Sequence, residues 1–142
     1  MKSYQLIGFI GILILIICGF IPLAYLNDEF ITIFPVYNNF DLATSLWVWK
    51  DISAFSVTYG LTLLLCVYLL YRKFKPGYLI SASLNFVVIL FIYFSIWLTS
   101  IKTEDFSDVT FSYSISGLLV IVGFVLLFYS GLKIDKSKKQ GE

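Results

Sequence analysis

The feature that most constrains this chain is where its charges are not: four long runs contain no Asp, Glu, Lys or Arg. They cover residues 3–27, 52–71, 76–101 and 109–132, and are 25, 20, 26 and 24 residues long. An α-helix rises about 1.5 Å per residue, so roughly 20 residues cross the ~30 Å hydrocarbon layer of a bilayer. In that layer every backbone N–H and C=O must be satisfied within its own segment or within a closed barrel. Barrel strands are roughly ten residues long and alternate apolar with polar, whereas Ile10-Gly11-Ile12-Leu13-Ile14-Leu15-Ile16-Ile17 does not alternate. The pattern therefore predicts an all-α integral membrane protein, a four-transmembrane-helix bundle with helices over about 5–26, 52–72, 78–101 and 109–133, and a single domain across residues 1–142. Composition agrees, with 59% of residues hydrophobic and 13% charged; soluble domains are about 25% charged.

With four spans, both ends of the chain share a side. That side carries Lys2, Arg72, Lys73, Lys75, Lys133, Lys136, Lys138 and Lys139; the other carries only Lys50 and Lys102. Short loops on the cytoplasmic side of a membrane hold the excess of Lys and Arg. The imbalance predicts a multi-pass protein of the cytoplasmic membrane with both termini cytoplasmic. The acids lean the other way: Asp28, Glu29, Asp41, Asp51, Glu104, Asp105 and Asp108 are outer, and Asp135 and Glu142 are inner. Lys2 and the apolar residues after it could pass for a signal peptide. The run is long for that role and no small-residue cleavage pattern follows, so helix one is expected to stay.

The outer loops are expected at 27–51 and 102–108, and a polar tail at 134–142. Pro22 is expected to kink the outer end of helix one. The β-branched and aromatic string Phe30-Ile31-Thr32-Ile33-Phe34-Pro35-Val36-Tyr37 reads as extended, so the first outer loop is partly extended, and Asn38-Asn39 reads as a turn. Asp41 has the character of a helix N-cap. Leu42, Leu46 and Trp49 then share one face of a short interfacial helix over 41–50. On that helix Trp49 is expected to anchor in the headgroup layer and Trp47 to face the outer surface, where a partner would meet it. The string Lys73-Phe74-Lys75-Pro76-Gly77 predicts a tight inner turn.

The chemistry available is narrow. There is no histidine, which removes His-based proton relays and His-ligated zinc or haem. No ionisable group of the Asp, Glu, Lys or Arg type lies inside a span, whereas coupled transporters and voltage sensors need such groups at depth. The outer acids lack the Asp-x-Asp-x-Asp-Gly spacing of a calcium loop. Cys18 and Cys66 differ in depth by about 10 Å along their helices, too far for a disulfide, which needs Cα atoms within about 7 Å. Neither a cofactor nor a metal is expected, and the chain is not expected to be an enzyme. Near-neutral charge gives no footprint for nucleic acid.

Two features remain. Gly8, Gly11 and Cys18 in helix one, and Ser112, Ser116, Gly123 and Ser130 in helix four, put small side chains on one face of each helix. In lipid, close backbone approach drives helix association. These residues therefore mark either packing within the chain, helix one on helix four, or a face for a partner's helix. The mild polar groups of helices two and three, above all Asn85 with Thr62 and Ser95, are the candidates for a polar path. The leading expectation is a non-catalytic accessory or scaffolding subunit that associates with membrane lipids and with other membrane proteins or with itself. The alternative is a small passive transporter or flippase-like conduit. The layout, with a longer first outer loop bearing tryptophan and a shorter second, resembles claudin-type tetraspan proteins in topology. Their Gly-Leu-Trp motif and paired loop cysteines are absent, the local string being Ser45-Leu46-Trp47-Val48-Trp49-Lys50, so the resemblance implies topology and no function.

Overall fold

The computed structural model describes residues 2–26, 29–33, 42–104 and 111–134. The elements run α1 (Ser3–Phe20), β1 (Ala24–Leu26), β2 (Glu29–Ile31), α2 (Leu42–Arg72), α3 (Lys75–Glu104), β3 (Phe111–Tyr113) and α4 (Ser116–Lys133). Among the described residues, four helical stretches are long and apolar enough to cross a membrane: Ser3–Phe20, Phe55–Arg72, Lys75–Leu98 and Ser116–Lys133. α1 packs most extensively on α4 and α2 on α3, with lighter α1–α2 and α3–α4 contacts closing the ring.

Helix three runs three residues further at each end than expected, and three larger departures from the expected bounds each have a local reason. Helix one does not run through Pro22 to residue 26. It ends at Phe20, and Ile21 is already extended at φ −87°, ψ 141°. A proline disfavours helical backbone in the residue before it and offers no N–H to the preceding turn. Helix four does not begin at 109. The string Phe111-Ser112-Tyr113-Ser114 alternates apolar with polar, the period of a strand, and forms β3 instead. The helix then starts at Ser116, whose N–H is accepted by the Ser114 Oγ at 3.3 Å. Finally, no separate interfacial helix precedes helix two: α2 is continuous from Leu42 to Arg72. The charges Lys50 and Asp51 mark where an apolar span starts, but a charge does not break a helix, and no proline or other strong breaker stands there.

The three short strands form one antiparallel sheet in the order β2-β1-β3, a small addition to an otherwise helical fold. Ala24 faces Ile31 and Leu26 faces Glu29 on one side; Ala24 faces Tyr113 and Leu26 faces Phe111 on the other. The Ser114 N–H continues the ladder to the Leu23 carbonyl at 2.9 Å. β1 follows α1 and β3 precedes α4, so the sheet ties the ends of these two helices together. β2 is where the expected extended segment begins. Thr32 and Ile33 follow it and are buried, whereas residues 34–37 of that segment, the Asn38-Asn39 turn and residues 135–142 of the polar tail lie outside the described residues.

At the opposite end of the bundle, α2 turns into α3 through Lys73, which adopts the left-handed conformation at φ 57°. The Lys73 N–H bonds the Leu70 carbonyl at 3.2 Å and the Phe74 N–H bonds the Leu69 carbonyl at 3.0 Å. These are the paired bonds of a Schellman cap. The Phe74 ring lies over Gly77: a Cβ there would stand 2.5 Å from Phe74 Cδ1. Pro76 falls in the first turn of α3, where its missing N–H costs nothing.

Candidate functional site

The core of the bundle holds few polar groups, and most of them tie one helix to another. Asn85 of α3 is fully buried. Its amide donates to the Tyr59 carbonyl of α2 at 3.0 Å and to Thr62 Oγ1 at 2.6 Å. The Thr62 hydroxyl lies 2.8 Å from the Thr58 carbonyl in the preceding turn. The Ser81 hydroxyl donates to the Thr62 carbonyl at 3.3 Å. Asn85 and Thr62 are thus brought together as a clasp between α2 and α3. Ser95 does not join them: its hydroxyl returns to the Phe91 carbonyl of its own helix at 2.9 Å.

Two tyrosines link this pair to the other helices. The Tyr59 hydroxyl donates to the Leu15 carbonyl of α1 at 2.7 Å, and the Tyr78 hydroxyl to the Leu127 carbonyl of α4 at 3.1 Å. Each hydroxyl reaches a carbonyl already inside a helix, so the second lone pair of that oxygen is what it uses. Sequence reasoning passed over Tyr78. Tyr78 directly follows Pro76-Gly77, in the first turn of α3. The rings of both tyrosines are fully buried.

Most of the small-residue faces meet each other. A Cβ on Gly11 would stand 2.9 Å from the Gly123 carbonyl oxygen and 3.1 Å from the Leu127 nitrogen. A Cβ on Gly8 would stand 2.5 Å from Ser130 Oγ, and one on Gly123 would stand 2.8 Å from Leu15 Cγ. Ser130 donates to the Tyr4 carbonyl at 2.7 Å and Ser116 to the Pro22 carbonyl at 2.8 Å. Gly8, Gly11, Gly123, Ser116 and Ser130 are therefore occupied by the α1–α4 seam inside the chain. Cys18 is fully buried on the same helix. Ser112 is the exception. It lies in β3 opposite Tyr25 and is exposed, so it belongs to the sheet and not to a helix face.

Cys18 and Cys66 are free, buried thiols. The side chains of Trp47 and Trp49 lie outside the described residues. Among the described residues, no cluster of His, Cys, Asp and Glu could hold a metal. Among the described residues, the buried atoms Asn85 Oδ1, Tyr4 Oη and Tyr93 Oη have no hydrogen-bond partner. Comparison with protein-family models, with curated proteins and with solved structures finds no significant match.

Proposed function

We propose that the chain is a non-catalytic, multi-pass membrane protein that acts as an accessory or scaffolding subunit, with both termini cytoplasmic. The observation that carries this reading is the division of labour among its side chains. Several of the buried polar groups within the spans are spent on helix-to-helix bonds, as at Asn85, Ser130 and Tyr59. The outward faces carry large apolar side chains, among them Leu13, Ile17, Leu64, Leu90, Ile121 and Val125. Such a bundle is internally braced and offers a lipid or partner helix a predominantly apolar surface. Because the small-residue faces are consumed within the chain, partner contact falls to these outer faces and to the outer ends of α2 and α3. At ~1.5 Å per residue, the 31-residue α2 and 30-residue α3 are each about 45 Å long and exceed the ~30 Å hydrocarbon layer. The excess of Lys and Arg at the α2–α3 turn and at the chain ends supports the orientation.

The test is purification in mild detergent followed by mass spectrometry of cross-linked, co-purifying proteins. A defined membrane partner supports the reading; a lone monomer overturns it. A cysteine placed in the 134–142 tail should be shielded from an impermeant thiol reagent in intact cells, and one at Asn39 labelled. The reverse pattern inverts the orientation.

A second reading, a passive conduit, is favoured by one observation: Asn85 keeps an unpaired acceptor at the centre of the bundle. Asn85→Cys labelled from water in the folded protein would support it.

A further inference from the structure

We infer that the basic end of the bundle carries two built contacts for the phosphate of anionic phospholipids, one on α2 and one on α4; the inference rests on the membrane reading above. The two places share one arrangement. Arg72 lies at the end of α2 and Tyr68 one turn before it. The Arg72 Nε–H donates to the Tyr68 hydroxyl at 3.1 Å, and the guanidinium carbon lies 5.6 Å from the centre of that ring. Lys133 lies at the end of α4 and Tyr129 one turn before it, with the ammonium 5.3 Å from the ring centre. Spacing of four residues puts each pair on one helix face. Both tyrosines are about half exposed, at 52% and 47%.

Those rings belong to the outward, apolar surface. Tyr71, Leu65 and Phe74 are exposed on or beside α2, and Leu132 and Val125 on α4. A cation at a helix end ordinarily extends its stem toward water. Here both are drawn back over rings that face lipid, which holds the charge at the rim of the hydrocarbon, where the phosphate layer begins. The Arg72–Tyr68 bond uses Nε and leaves the paired Nη groups, the fork that matches a phosphate. α2 and α4 sit diagonally in the ring of helices, so the two contacts serve different parts of the lipid annulus. The charge of this end fits an anionic occupant: Lys2, Lys73 and Lys75 stand there with Arg72 and Lys133, and the sequence assigns it only Asp135 and Glu142 as acids.

The test reconstitutes the full chain in phosphatidylcholine vesicles and measures spin-labelled lipid held at the protein surface, comparing phosphatidylglycerol with phosphatidylcholine probes. A cation near a charged surface gives a roughly fivefold preference at its own contact. Averaged over the whole lipid ring, about a twofold preference for the anionic probe is expected. Arg72→Gln with Lys133→Gln should bring the ratio close to one, while Lys73→Gln with Lys75→Gln, which removes the same charge from the same end, should leave most of the preference. Equal loss in the two double variants, or no preference in the parent chain, overturns the proposal. Absence of any immobilised lipid population for either probe overturns the membrane reading itself, and with it this one.

Discussion

The two principal helix seams solve the same problem by different chemistry. α1 and α4 approach through glycine and serine: Gly11 lies against the Gly123 backbone and Gly8 against Ser130. α2 and α3 meet through larger side chains and are fastened by Asn85, Thr62 and Ser81. The α3–α4 face is different again, with Phe86 set edge-on against Phe124 at 5.1 Å between ring centres. Lipid tails are as apolar as leucine, so helices in a bilayer gain little from apolar burial alone. They associate either by bringing backbones close or by sharing hydrogen bonds. The contrast teaches that the first seam tolerates almost no added atoms, whereas the second depends on a few donors.

That contrast can be broken most directly at Gly11. Gly11→Leu drives a side chain into the Gly123 carbonyl and the Leu127 nitrogen, backbone atoms that cannot swing aside. A loss of about 3 kcal/mol is expected, measured as thermal unfolding in detergent by circular dichroism. Gly123→Leu meets the Leu15 side chain, which has some freedom to move, and should cost less, about 2 kcal/mol. If both variants unfold like the parent, the seam is not close-packed. Across the other seam, Asn85→Ala removes two donated bonds and should cost about 1.5 kcal/mol, near the upper end for interhelical bonds in membranes. A cost as large as that of Gly11→Leu would mean that the hydrogen bonds, not the close approach, dominate this fold.

The connection between α2 and α3 sharpens the comparison from outside the seams. A left-handed lysine is strained by its Cβ, by roughly 1–2 kcal/mol. Lys73→Gly removes that strain and should raise stability by about 1 kcal/mol, part of the gain being lost to the freer unfolded chain. A decrease would mean that the Lys73 charge matters more than its backbone. The smallest effect belongs to Ser130→Ala, which gives up the bond to the Tyr4 carbonyl but keeps the small volume beside Gly8. About 0.6 kcal/mol is expected. A loss above 2 kcal/mol would move the first seam into the same class as the second.

Four apolar spans follow from the absence of charge in four runs, a quantity that needs no knowledge of neighbours. The seam between helices one and four was also legible, because small residues at three- and four-residue spacing have few other uses in lipid. Local competition explains what was misread. In Phe111-Ser112-Tyr113-Ser114 a period of two prevailed over an uncharged run that suited a helix. At Pro22 a stop occurred where a kink was expected, because β3 and β2 stood ready to pair with the residues beyond it. Ser95, read as part of a polar path with Asn85 and Thr62, bonds to its own helix instead; which polar groups share a cluster depends on helix rotation, and that is set by packing partners.

By itself the sequence determined where the long apolar segments lie and which end of the chain is basic, since both are sums over neighbouring residues. Only the tertiary structure decided how the polar side chains were spent. Whether Tyr59 and Tyr78 faced a headgroup layer or crossed the core, and whether Gly8 and Gly11 awaited another protein or were filled by α4, turned on contacts between residues more than forty positions apart. Helical periodicity puts a residue on a face, but the neighbour that covers that face comes from elsewhere in the chain.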